Sequence, residues 1–280
     1  MQPVVRPLIL LHSDPALGEQ LGEIPGQVYK LSRVADWAAL RAALRRVPPI
    51  AVAVVDPFAG TGTDDRPAEE LRELLSDRPD ATVLAALHTN PSSTEVLRTL
   101  VSWGVADFVL LPREVTVPSL MYRLRCVQGR YVERLLQRAL PRGVPMRAQG
   151  LLQTAAEVVS VGGSGKEFAE ALGVGRRTVP RRCERADLPP PKRLLAWLRL
   201  LLAAEMLDDA EYSVAAAGRA SGYAGQASLK NTVQEFLGCS PQELRARGAF
   251  DTVARAFAAE LADIRDAAYT RGRSDKIWLN

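Results

Sequence analysis

Five residues bound the chemistry open to this chain: His12, His88, Cys126, Cys183 and Cys239. They stand far apart, and no C-x-x-C, H-x-x-x-H or mixed cluster offers a metal its ligands at workable spacing. Neither a zinc site nor a histidine-dependent triad is expected. The segment from Ser160 to Glu167, SVGGSGKE, looks like a phosphate-binding loop. However, Ser160 stands where that loop needs its first glycine, and Glu167 follows Lys166 where it needs Ser or Thr. It reads better as a loop with a helix cap. The expectation is a protein that is not an enzyme and carries no cofactor. Scattered cysteines, odd in number, fit a reducing compartment, and the cytoplasm is the expected location.

Charge points to binding instead. Residues 1–118 carry 11 Lys+Arg against 15 Asp+Glu, whereas residues 119–250 carry 20 against 12, and residues 251–280 carry 5 of each. An acidic first part and a basic second part suggest a polyanion-binding module attached to an acidic partner domain. The longest apolar stretch, Leu194 to Leu207, is broken by Arg199 and Glu205 and is too short to cross a bilayer. No membrane association is expected, and the apolar start of MQPVVRPLILLHSD reads as a buried strand rather than a signal peptide.

The elements that must position these groups can be read from periodicity. At 280 residues the chain is long enough for about two domains. Strand candidates are Pro7–Leu11, Gln27–Leu31, Ile50–Val55, Ala81–Leu87 and Ala106–Leu111. Between them Asp36–Arg46, Pro67–Ser76 and Ser93–Trp103 have apolar residues at three and four spacing. Such alternation predicts βαβ units, so residues 1–140 are expected to form a doubly wound, five-stranded parallel sheet. A helix from Pro118 to about Leu140 should follow. It places Leu124, Val127, Tyr131 and Leu135 on one stripe that outruns the sheet, and a homodimer through the exposed remainder is expected. Pro141 and Pro145 end it, giving a linker at 141–149.

The second half, 150–250, reads as all helical, followed by a helical tail at 251–280 that contains Trp278. Ser164 with Glu167 forms a capping box, Gly173 closes that helix, and a second unit starts at Ser213 and turns at Gly222. Between the two units, residues 191–208 are apolar almost all round, so this helix should be buried. Trp37, Trp103 and Trp197 fall in helical apolar patterns and are expected in the core.

Several features carry a family resemblance: the first helix and turn at Phe168–Val174, the helix WLRLLLAAEML, Ser213-Val214, Gly222-Tyr223, and Phe236-Leu237-Gly238 ahead of Ser240-Pro241. Together they resemble the DNA-binding domain of AraC-type transcription regulators. The resemblance implies two helix-turn-helix units that place recognition helices in adjacent major-groove segments of double-stranded DNA. It puts the first recognition helix near Arg176–Ala186, where Arg176, Arg177, Arg181, Arg182 and Arg185 can serve phosphates or guanine edges. Thr178 can touch a base or cap the helix. An interior proline costs about 3 kcal/mol, so Pro180 predicts a helix that begins at Thr178. The second recognition helix, by the same resemblance, exposes Gln226, Ala227, Lys230, Asn231 and Gln234. Gln and Asn suit adenine edges, and Lys230 suits a phosphate. Ala217 and Ser221 stand where the family has bulkier residues, which predicts a looser second unit.

Residues 5–140 resemble a response-regulator receiver domain in their strand and helix order, the Asp-Pro after the first strand and the acid ending the third. Receivers take a phosphoryl group on one Asp beside a divalent metal. Here Asp56 has the acceptor position, but the acidic pair becomes His12 and Ser13, the hydroxyl residue becomes Ala86, and the lysine before Pro112 becomes Leu111. Asp14 lies just beyond the metal-binding positions. The expectation is a vestigial phosphoacceptor, no metal, and a pseudo-receiver that answers to a protein or small-molecule effector. The leading reading is thus a phosphorylation-independent transcription regulator. Its alternative is an adaptor that uses both degenerate domains for protein contacts.

Overall fold

The computed structural model describes residues 4–62, 66–88, 93–141 and 144–277. They fall into two compact units, one ending at Tyr131 and the other starting at Val132. The first contains β1 (Arg6–Leu11), α1 (Pro15–Gly22), β2 (Tyr29–Arg33), α2 (Trp37–Leu44), β3 (Val52–Val55), α3 (Glu69–Asp77), β4 (Thr82–His88), α4 (Ser93–Trp103), β5 (Asp107–Leu111) and the start of α5 (Val117–Ala139). The five strands form one parallel sheet in the order β2-β1-β3-β4-β5.

Side chains alternate along a strand, and here both faces are apolar. Ile9, Leu11, Ala53, Val55, Val83, Ala85 and Leu87 point to one face, where α2, α3 and α4 contribute Leu40, Leu44, Leu71, Leu74 and Leu100. Leu8, Leu10, Val52, Val54, Leu84 and Val109 point to the other, which α1 and α5 cover with Leu17, Leu21, Leu120, Leu124 and Val127. The doubly wound α/β sheet expected from the sequence is the fold of this unit.

Three details differ from expectation. β2 runs from Tyr29 to Arg33 rather than Gln27–Leu31, because its register sets Tyr29 opposite Arg6 and Arg33 opposite Leu10. It is an edge strand, and its last residues, Ser32 and Arg33, are exposed. The helix α1, not anticipated, starts on Pro15 with Asp14 as its cap, the carboxylate accepting from the Leu17 amide at 3.0 Å. The stripe Leu124, Val127, Tyr131 and Leu135 is buried within the chain itself. Tyr122, on the same helix, is exposed.

The second unit holds the end of α5 and then α6 (Met146–Ser160), α7 (Gly165–Ala171), α8 (Val179–Arg185), α9 (Pro191–Leu207), α10 (Val214–Ala220), α11 (Gln226–Leu237), α12 (Pro241–Ala246) and α13 (Ala249–Ile277). Helix α6 begins inside the segment read as a linker, so packed structure starts ahead of residue 150. It does so because Ala148, Leu151, Leu152, Ala155 and Ala156 are buried, and α6 packs on α9. Trp37 and Trp197 are core residues, and Trp103 packs against the first core. Trp278 lies outside the described residues. No helix among the described residues is long and apolar enough to cross a membrane.

Candidate nucleic-acid interface

The first unit of the interface is α7, a turn and α8. Ser164 caps α7 and exchanges bonds with Glu167, whose carboxylate accepts from the Ser164 amide at 2.9 Å. Phe168 and Ala169 anchor the helix in the core, and Gly173, at φ +63°, ends it. Helix α8 starts at Val179 with Thr178 in the cap position, so Pro180 sits in the first turn, where its missing amide costs nothing. Thr178 makes no side-chain cap bond. The helix is thus shorter than the Arg176–Ala186 expected, and Arg176 and Arg177 belong to the turn ahead of it.

One face of α8 is apolar and buried through Val179 and Cys183, with Ala186 just after it. Burial pushes the Cys183 thiol up to about 11, so it packs as a neutral group. The other face and the turn expose Arg176, Arg177, Arg181, Arg182 and Arg185. Five guanidiniums within ten residues make a dense positive surface suited to a polyanion.

The connector α9 has 17 residues, or about 25 Å of rod, the same order as the roughly 34 Å between major-groove segments one turn apart. It is buried nearly all round. Trp197 packs edge-on to Phe236 at 4.7 Å between centroids and against Phe257 at 5.5 Å. Arg193 pairs with both oxygens of Glu260 at 2.7 Å and lies 4.3 Å over the Phe236 ring. These contacts tie the rod to α11 and α13, the pair with Glu260 over 67 residues of sequence, a separation that no local pattern reveals.

In the second unit Ser213 caps α10, accepting from the Ala216 amide at 3.1 Å. Ala217 and Ser221 are fully buried, and the Ser221 hydroxyl bonds back to the Ala217 carbonyl at 2.8 Å. A Cβ built on Gly218 would meet the Gly225 carbonyl and Leu229 Cβ at 3.5 Å. These small residues lie where α10 packs on α11. Leu229 and Val233 hold α11 to the core, while Gln226, Ala227, Lys230, Asn231 and Gln234 are exposed on it. All eleven residues singled out in the sequence therefore lie on the surface of the two expected units.

Residues 168–247 match the family model described as a helix-turn-helix domain. This segment is a helix-turn-helix domain of the AraC type. A comparison with curated protein sequences gives no match. Among solved structures, the chain is similar to NtrX from Brucella abortus, at 16% identity and a TM-score of 0.38, over 60% of this chain and 40% of that one. It is also similar to full-length FixJ from B. japonicum, at 14% identity and a TM-score of 0.36, over 68% of this chain and 94% of that one. The third is the RcsB response regulator of Salmonella typhimurium, at 16% identity and a TM-score of 0.36, over 71% and 98%.

The cap of this helix-turn-helix domain has a measurable signature. The Ser164 hydroxyl and amide together hold the Glu167 carboxyl down at about 2, against an ordinary value of 4.5. A group depressed on folding stabilises above its unfolded value, and that stabilisation is lost as the pH falls toward the folded one. Urea midpoints of the wild type should therefore drop between about pH 4.5 and pH 2, and Glu167→Ala should flatten part of that slope. Parallel profiles for the two proteins would assign the acid sensitivity elsewhere.

At the C-terminal edge of the sheet the receiver-like residues do different work. The Asp56 carboxylate accepts from the Phe58 amide at 2.9 Å, and its carbonyl from Ala59 at 3.1 Å, so it closes a turn. Asp14 caps α1 and stands 3.8 Å from His88. The Asp14 amide donates to His12 Nδ1 at 3.0 Å, which leaves Nε2 as the donor to the Ala86 carbonyl at 3.2 Å. His12 thus fills the place of the acidic pair with both nitrogens engaged. The divalent cation that receivers use takes oxygen ligands, and a single turn-forming carboxylate beside an occupied imidazole does not fit it.

Proposed function

We propose that this protein is a sequence-specific, double-stranded-DNA-binding transcription regulator whose receiver-like unit works without phosphorylation. The observation that carries the reading is the pair of exposed surfaces on α8 with its turn and on α11, two helices that both pack on the buried rod α9. In the first, none of the side chains of Arg176, Arg177, Arg181, Arg182 and Arg185 forms an ion pair or hydrogen bond among the described residues. In the second, Lys230 supplies a phosphate contact, and Gln226, Asn231 and Gln234 supply base contacts; Thr178 and Ala227 line the two approaches. One copy carries two reading units, and a homodimer would pair through a surface other than the buried α5 stripe. Regulatory input comes from a protein or small molecule that favours one state of the chain. The cytoplasm is the compartment such a role requires.

Selection of bound duplexes from a random pool by the full chain tests the reading. Enrichment of a common sequence supports it, and retention of no duplex at low salt supports an adaptor instead. Incubation with acetyl phosphate and magnesium should leave the intact mass unchanged. An adduct of about 80 Da, absent in Asp56→Asn, would mean that the acceptor chemistry has been rebuilt from other groups.

A further inference from the structure

A cleft of about 440 Å³ lies between the end of α5 and the start of α6, wholly within the second unit. Its size falls in the range of roughly 300 to 1,000 Å³ that small-molecule sites occupy. Glu133, Leu136 and Leu140 line it from α5, on one face of that helix, and Leu152 and Gln153 line it from α6. Leu136 and Leu152 are buried and make its deepest wall, while Leu140 and Val144 extend the apolar lining toward the turn between the helices.

The polar groups of the lining are one carboxylate, Glu133, and three amides, Gln137, Gln149 and Gln153. None of the described residues that line the cleft is basic. Glu133 is half-buried, and its side chain forms no ion pair or hydrogen bond among the described residues. An anion in the cleft would be repelled by that carboxylate, and a neutral apolar molecule would shield it from water without a partner. A protonated amine answers both conditions, since its three N–H donors suit the carboxylate and the amide oxygens. Gln149 already gives its Nε2 to the Val144 carbonyl at 3.3 Å, which leaves its oxygen to accept. Seven residues of helix, about 10 Å, separate Glu133 from Leu140, so the charged and apolar ends of the cleft stand a short chain apart. Glu157 follows Gln153 by one turn of α6, and partial burial together with the Glu133 charge raises its carboxyl above the usual range.

We infer that this cleft is a binding site for a small organic cation, a protonated amine on an apolar body, with Glu133 pairing the charge and Leu136, Leu140 and Leu152 holding the body. The site lies outside the receiver-like unit. Binding there goes beyond the DNA-binding reading and does not depend on it; only its use as the regulatory input rests on that reading.

The test uses the full chain with isotope-labelled Leu and Val methyls, titrated with phenethylamine and with phenethyl alcohol and phenylacetate as its neutral and anionic counterparts. Phenethylamine should shift the methyl signals of Leu136, Leu140, Val144 and Leu152, with a Kd of about 1 mM or below. The alcohol and the acid should bind about tenfold or more weakly, the factor that a charge-assisted hydrogen bond supplies. Glu133→Gln keeps the shape and removes the charge, and amine and alcohol should then bind within about twofold of each other. Gln153→Lys sets an ammonium in the cleft from an exposed position and should weaken phenethylamine by about tenfold or more. If Glu133→Gln does not unfold cooperatively, Gln153→Lys carries the test. No shift at those methyls with about 10 mM amine, an alcohol that binds as tightly as the amine, or a folded variant with unchanged affinity overturns the inference. A chain that takes the amine and retains no duplex loses only the DNA-binding reading, and one that selects a duplex and ignores the amine loses only this inference.

Discussion

Replacing Arg176, Arg177, Arg181, Arg182 and Arg185 together with alanine should lower affinity for the selected duplex by about three orders of magnitude near physiological salt. Each phosphate contact releases condensed counterions, so five contacts account for a slope of roughly 4 to 5 in log affinity against log salt. The variant should lose that much of the wild-type slope. The fold should persist, because all five side chains are exposed and the anchors Val179 and Cys183 remain. Arg181→Ala and Arg182→Ala should each weaken binding singly, and Lys230→Ala should reduce the slope by about one. Titrations at three salt concentrations check all of this. If the fivefold variant keeps the wild-type slope, the phosphate-facing surface lies elsewhere on the basic unit.

Much of this architecture was legible because burial on both sides of a strand leaves a continuous apolar run. Ile9 and Leu8 point to opposite faces, yet both are buried, and the same holds for Val54 and Val55. Helix α1 escaped because its eight residues carry only Leu17 and Leu21 as large buried anchors, too few for a periodic signal. Its clue was the Asp14-Pro15 pair, a cap and a first helical residue. Helix α6 escaped because Pro145, Arg147, Gln149 and Gly150 read as a connector, and packing on α9 decides their state. The α5 stripe was visible, but periodicity says only that a face is apolar and not what covers it.

For the candidate site, it was the family resemblance that singled out the arginines and the polar positions of α11, and the structure leaves those side chains exposed. Pro180 predicted a start at Thr178, and α8 starts one residue later, at Val179, with Thr178 in its cap position. What stayed hidden were the long-range pairs. His12 meets Ala86 across 74 residues, and Arg193 meets Glu260 across 67. Nothing near His12 in the chain announces that both ring nitrogens would be occupied. Those bonds turn a missing acidic pair into a filled site rather than an open one.

Trp197→Ala should be the most damaging single substitution in the helical unit, at about 3 to 5 kcal/mol. The indole is 1% exposed at the centre of α9, where α11 presents Phe236 and α13 presents Phe257. Its removal opens a cavity in the rod and ends two aromatic contacts of about 0.5 to 1.5 kcal/mol each, part of the same total. Domains of this size are stable by only about 5 to 15 kcal/mol, so the loss should lower Tm by about 10 °C or more. Trp197→Phe should cost much less. The indole Nε1 is buried with no hydrogen-bond partner among the described residues, so phenylalanine removes an unsatisfied donor along with the extra volume. Far-UV circular dichroism against temperature and urea measures both variants. An alanine variant within about 1 kcal/mol of the wild type would mean that α9 is not the packed axis joining the two reading units.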